Sequence, residues 1–229
     1  MSIKSKIFAA AATLTLVGGI GAAGALTAGA ADAATPSCGH NCIDIFSQLY
    51  GTHKHPTFVL DVYQAKAKAG QPIILFQASN SDPGQDFTIS FQGTVNDFYK
   101  AGLVSSSLNL HYSKLWAYEI EYSPYGADSG YCVGVGSTAV NGTGVALEPC
   151  GQSSKTVWVV DSYASIKGHF VPLINGSDTN FSHPYVLNYP GNAYPTDKPR
   201  PQLTTWTLSK YSNGVVYNNQ MWSANFGNL

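Results

Sequence analysis

From residue 58 onward the apolar positions fall in short runs, several alternating with polar residues: Phe58–Val62, Ile73–Gln77, Phe87–Phe91, Ser107–His111, Tyr118–Tyr122, Tyr131–Val135, Val145–Leu147, Val157–Val160, Phe170–Ile174, Tyr185–Tyr189, Leu203–Leu208 and Gln220–Trp222. Clusters of Gly, Pro, Asn, Asp and Ser separate them, as in residues 79–84. Short runs bounded by turn formers predict strands, and this many predict an all-β barrel or sandwich. No long amphipathic helix pattern interrupts them, which argues against an α/β enzyme. The exception lies upstream, where Ile43, Phe46, Leu49 and Tyr50 are spaced along one helical face. This spacing predicts one or two helical turns closed by Gly51 and Pro56. Residues 34–57 therefore read as a short N-terminal helical cap on a β domain spanning 58–229.

The strands recur in a fixed order. Residues 58–62 are followed by 71–76 and then 85–87, residues 131–135 by 144–150 and 156–158, and residues 185–189 by 200–203 and 220–222. Each series opens and closes on an aromatic: Phe58 and Phe87, Tyr131 and Trp158, Tyr185 and Trp222. The first two series have nearly the same length, and the third needs an insertion. Three copies of one supersecondary unit predict a shared core that no single copy can bury alone.

Within the second copy, Cys132-Val133-Gly134-Val135, Leu147-Glu148-Pro149-Cys150 and Thr156-Val157-Trp158 together resemble one repeat of the ricin-type β-trefoil lectins. The third copy keeps Asn219-Gln220-Met221-Trp222, and the first keeps Leu60-Asp61-Val62 and the variant Gln85-Asp86-Phe87. The resemblance covers roughly residues 58–222 and implies an all-β β-trefoil with three imperfect repeats and enlarged loops. Phe87, Trp158 and Trp222 then enter the common core, each burial contributing on the order of 2–3 kcal/mol. The family's sugar sites combine an aspartate on the first strand of this motif, an aromatic platform on the next, and amides beside the Gln-x-Trp strand. A carboxylate accepts paired hydroxyl donors, and a ring stacks on the apolar face of a pyranose. The resemblance thus implies Asp61, Phe76 and Gln85 as ligand-binding in the first repeat, with Ile74 and Gly84 departing from the pattern. Asn188, Gln202, Asn219 and Gln220 are the candidates in the third, where Thr204 takes the platform position. Gly134 and Glu148 leave the second repeat without a site.

The N-terminus changes the setting. Lys4 and Lys6 precede an apolar, small-residue run from Ile7 to Ala31, and Ala31-Asp32-Ala33 offers small residues at the two positions a signal peptidase reads. This three-part pattern predicts a secretory signal peptide over 1–33 and a secreted, extracellular product. Removing Lys4, Lys6 and Asp32 from twelve basic and thirteen acidic residues leaves a net charge near −2. So balanced a chain is not built for nucleic acid or an anionic membrane. The cysteines, Cys38, Cys42, Cys132 and Cys150, are all downstream of the leader. In an oxidising compartment they form two disulfides. Three pairings exist, and proximity favours 38–42 with 132–150. The second closes a strand-turn-strand loop worth about 3 kcal/mol in the loop-entropy view.

Other chemistry is weakly signalled. His53-Lys54-His55 and the Cys38–Cys42 cluster match no zinc spacing and read as exposed loops and a small disulfide, so neither metal nor cofactor is expected. Glu119 and Glu121 share a strand face about 7 Å apart, a spacing compatible with acid/base work, but such pairs usually line a solvated face. The expected function is a secreted, non-catalytic carbohydrate-binding module with a glycan as partner. The alternatives are a protein-binding or protease-inhibitor trefoil using loops such as 94–106 or 190–200, and a glycan-active hydrolase with an acidic pair elsewhere.

Overall fold

The computed structural model of the chain describes residues 42–52, 55–164, 169–190 and 200–226. The expected leader, Cys38 and His53 lie outside these residues. Strand β1 (Ile43–Ser47) is followed by a two-residue ladder of β2 (Gly51–Thr52) and β3 (His55–Pro56). Strands β4 (Phe58–Val62), β5 (Ile73–Gln77) and β6 (Phe87–Thr94) complete the first repeat with β1. The second comprises β7 (Trp116–Tyr122), β8 (Tyr131–Val135), β9 (Val145–Pro149) and β10 (Val157–Val160). The third comprises β11 (Leu173–Asn175), β12 (Tyr185–Asn188), β13 (Thr204–Thr207) and β14 (Trp222–Phe226).

The first and last strands of each repeat build a barrel by antiparallel pairing in the order β14, β1, β6, β7, β10, β11. A bridge between Val171 and Trp222 closes it, each backbone N–H donating to the other's carbonyl at 2.9 Å. The middle strands form the hairpins β4–β5, β8–β9 and β12–β13. Bridges Pro72–Ala146, Gly144–Thr204 and Ile74–Gln202 tie these hairpins into a triangle over one end of the barrel.

Equivalent positions behave alike. Leu60, Val133 and Leu187 are buried, as are Ile73, Val145 and Leu203. Phe87, Trp158 and Trp222 share the same core. The indole N–H of Trp158 donates to the Val133 carbonyl at 2.9 Å, and that of Trp222 to the Leu187 carbonyl at 2.8 Å. These carbonyls belong to matching residues of the two repeats. Gln85 and Gln220 are braces of identical design. Gln85 donates to the Gln77 carbonyl at 2.8 Å and accepts from the Ser79 N–H at 2.9 Å. Gln220 donates to the Thr207 carbonyl at 3.0 Å and accepts from the Ser209 N–H at 2.7 Å. Buried amides so satisfied hold the loop after each hairpin.

Two expectations fail locally. Residues 43–50 are not a helical cap. Ile43–Ser47 is a barrel strand paired residue for residue with β14, and only Gln48–Tyr50 forms a 3-10 turn. Ile43 and Ile45 point into the barrel while Phe46 is buried on the other side among Val59, Phe170 and Met221, so both faces of the strand are apolar and mimic helical spacing. Ser107–His111 is helix rather than strand. Two short helices, α1 (Val95–Lys100) and α2 (Ser106–Tyr112), fill the segment between β6 and β7. Thr94 and Asp97 form a reciprocal capping box on α1, and the Ser105 hydroxyl caps α2. Phe98 and Leu108 pack beneath them against Val157, Val159, Ile174 and Val186 on the outside of the barrel. Much of the expected 94–106 loop is therefore α1, anchored on a satellite core.

Cys132 and Cys150 are joined as expected, with Cα atoms 5.0 Å apart. Cys42 is also disulfide-bonded. Its expected partner lies outside the described residues.

Candidate functional site

In the first repeat, Asp61 on β4 stands opposite Ile74 on β5. Because side chains alternate across a strand, Phe76 lies on the same face. The turn after β4, Tyr63–Ala65, holds Gln64 and Ala65 at φ 61° and 50° and forms a side wall. The result is a pocket of about 360 Å³ lined by Asp61, Tyr63, Gln64, Phe76, Asp82 and Arg200. Burial, followed by the neighbouring Asp82 charge, pushes the Asp61 carboxyl up to about 7, while Gln85 and Arg200 pull in the opposite direction. The Gln85 amide reaches Asp61 Oδ2 at 3.4 Å. A Cβ on Gly84 would stand 3.1 Å from carboxylate oxygens of both Asp61 and Asp82, so glycine admits that close approach. The expected trio of Asp61, Phe76 and Gln85 is thus brought together. The Phe76 face is not open, however. The Arg200 guanidinium lies 3.9 Å above its ring, a cation–π contact. Arg200 precedes β13, so the third repeat covers the platform of the first.

The second repeat has no room for a side chain where the first has Asp61. A Cβ at Gly134, the position of Asp61, would come 2.9 Å from the Lys155 carbonyl and the Thr156 methyl. Lys155 takes the place of Gly84 and spends its ammonium on the Gly136 carbonyl at 3.0 Å. Thr156 stands where the other repeats have the glutamine brace. Glu119 supplies the missing function: its Oε1 accepts from the Gly151 N–H at 2.9 Å and from the Thr156 hydroxyl at 2.5 Å. Gly151 is the counterpart of Ser79 and Ser209. Glu121 accepts from the Gly130 N–H at 2.7 Å, and burial raises its pKa. Both glutamates are buried, so the expected solvated pair is a pair of loop anchors.

The third repeat corrects the expected platform. Asn188 pairs with Thr204, as Asp61 pairs with Ile74. Thr204 therefore matches Ile74, and the residue matching Phe76 is Trp206, which is 44 % exposed. Trp206 shares its strand face with Thr204 and Asn188. The Asn188 amide donates to the Thr204 hydroxyl at 3.3 Å. Asn219 donates to Asn188 Oδ1 at 3.1 Å and to the Tyr189 carbonyl at 2.9 Å. Asn188, Thr204 and Asn219 form one polar cluster on this face. Two expected ligand residues are committed elsewhere: Gln220 is the buried brace, and Gln202 donates to the Val145 carbonyl at 2.9 Å, packed over Gly144.

Among solved structures, the designed threefold-symmetric protein ThreeFoil is 14 % identical with a TM-score of 0.52, covering 80 % of this chain and 97 % of its own. The fold is a β-trefoil. An exo-β-1,3-galactanase from Clostridium thermocellum, 1,3Gal43A, matches at 12 % identity and a TM-score of 0.52, covering 82 % of this chain and 30 % of its own. A mosquitocidal holotoxin matches at 15 % identity and a TM-score of 0.50, covering 83 % of this chain and 18 % of its own. In these larger proteins the trefoil corresponds to a part of the length. No protein-family model and no curated protein matches the sequence significantly.

Two residues at these trefoil sites escaped sequence reasoning. Trp206 was discoverable, because it follows Leu203 by the same three positions as Phe76 follows Ile73. Arg200 gave no signal, since its role depends on a contact between repeats.

Proposed function

We propose that this trefoil is an exported glycan-binding module without catalysis, and that its principal site is in the third repeat. The observation that carries this reading is the register placing the half-exposed Trp206 beside the polar cluster of Asn188, Thr204 and Asn219. An exposed indole stacks on the apolar face of a pyranose, and amides and hydroxyls bind its hydroxyls in either direction. The ricin-type resemblance points to galactose-type sugars. The Asp61 pocket of the first repeat is a second, conditional site, because a pyranose reaches the Phe76 ring only when Arg200 moves aside.

The hydrolase alternative is disfavoured by the acidic groups themselves. Asp61 and Asp82 are within hydrogen-bonding range of each other, closer than the roughly 5–9.5 Å that separates carboxyls flanking a glycosidic bond. The test is titration of the protein with galactose-terminated oligosaccharides, alongside Trp206→Ala and Asp61→Ala. Saturable binding that Trp206→Ala abolishes supports the reading. No binding at millimolar sugar, or equal binding by Trp206→Ala, ends it.

A further inference from the structure

The barrel end remote from the hairpin triangle contains an apolar cavity of about 340 Å³. It follows the pseudo-threefold symmetry. Its inner layer is Ile45, Ile120 and Leu173, and its outer layer adds Ile43, Tyr118 and Val171 from the first strands of the repeats. The last strands contribute Ile89, Val160 and Ala224, two residues beyond Phe87, Trp158 and Trp222. This series shrinks from isoleucine to valine to alanine. The third repeat therefore leaves open what the first fills.

The mouth is not an ordinary barrel end. Trp116 lies two residues before Tyr118 on the same strand face, is 54 % exposed, and stacks on Tyr118 with ring centroids 6.5 Å apart and planes 19° from parallel. The polar side chains Gln92 and His169 also border the cavity and are exposed. An apolar interior with a few polar groups at its entrance is the usual form of a small-ligand pocket, and the volume lies at the lower end of the usual 300–1,000 Å³. Apolar voids exclude water and are filled readily by apolar ligands.

We propose that the barrel binds a single-chain amphiphile, with an alkyl tail among Ile45, Ile120, Trp158 and Trp222 and a small polar head between Gln92, His169 and Trp116. This site is separate from the sugar sites at the hairpins and does not depend on them. The probe is decanoate, titrated into the full chain while tryptophan fluorescence is followed, since Trp158 and Trp222 line the cavity. The expected result is saturable binding that Ala224→Phe weakens at least tenfold and that Trp206→Ala and Asp61→Ala leave unchanged. Val160→Phe serves as a second filling variant, and near-ultraviolet circular dichroism verifies that each variant keeps its tertiary packing. No saturable binding to the unaltered protein, or undiminished binding by folded filling variants, overturns the proposal.

Discussion

The first and third repeats place the same backbone around different chemistry. Each sends a polar residue from the second strand, Asp61 or Asn188, and an aromatic from the third, Phe76 or Trp206, to one face of its hairpin. In the first repeat the polar residue is a buried carboxyl raised to about 7 and the ring is capped by Arg200. In the third it is a neutral amide already bonded to Thr204 and Asn219, and the ring is half exposed. The difference teaches that a repeated scaffold preserves its braces more faithfully than its ligand groups. Gln85 and Gln220 make matching bonds, because any failure there unfastens a loop. The groups on the hairpin face carry no such obligation.

The largest expected effect tests the shared scaffold. Gln85→Ala and Gln220→Ala each leave a backbone carbonyl and N–H without their partner, at about 1–3 kcal/mol per stranded group. The two variants should lose similar stability, about 2–4 kcal/mol in denaturant unfolding. A large inequality between them would break the claim that the repeats are braced alike. Next comes the platform. Trp206→Ala should weaken sugar binding more than tenfold while changing stability by less than about 1 kcal/mol, since the ring is partly solvated. Phe76→Ala should change binding less than threefold, because its face is already occupied.

Removing the cover sharpens the contrast. Arg200→Ala should expose Phe76 and raise the affinity of the first repeat severalfold, read as a second binding event in calorimetry. The smallest effect is on pH dependence. The Asp61 carboxyl must be ionised to accept two hydroxyls, so binding in the first repeat should strengthen as pH rises through about 7, whereas the Asn188 site should be flat. Stability has the opposite sign. A carboxyl with a raised folded pKa binds its proton more tightly when folded, so its favourable contribution is complete below the unfolded value and lost as pH climbs through the folded one. Asp44, pushed up to about 6 by burial and by Asp86, acts in the same direction. Thermal unfolding between pH 4 and 8 should therefore show a decline that Asp61→Asn reduces.

Most of the repeat architecture was legible because it rests on local pattern. Short alternating runs, the aromatics closing each copy, and the Cys132–Cys150 spacing are properties of neighbouring residues. Reading failed where two environments met on one strand. Ile43–Ser47 buries apolar side chains on both faces, so its spacing resembles one helical face. Ser107–His111 lies in a capped helix whose Leu108 meets a satellite core shared with β10, β11 and β12, while Leu110 faces solvent. In the site, Asp61, Phe76 and Gln85 were found together, but Thr204 was placed at the platform position, which left the third repeat without a ring there. A shift of two residues keeps a side chain on the same strand face, so alternation alone does not distinguish Thr204 from Trp206.

The sequence by itself determined the three-repeat all-β plan, the core aromatics and one disulfide, because each follows from residue type at short range. Tertiary structure alone decided that Glu119 replaces a glutamine brace, that Arg200 covers Phe76, that the Trp206 ring is left half exposed beside Asn188 and Thr204, and that Ala224 helps leave a cavity. Each of these depends on contacts between strands or repeats far apart in the chain, and it is folding that sets the register and brings those residues together.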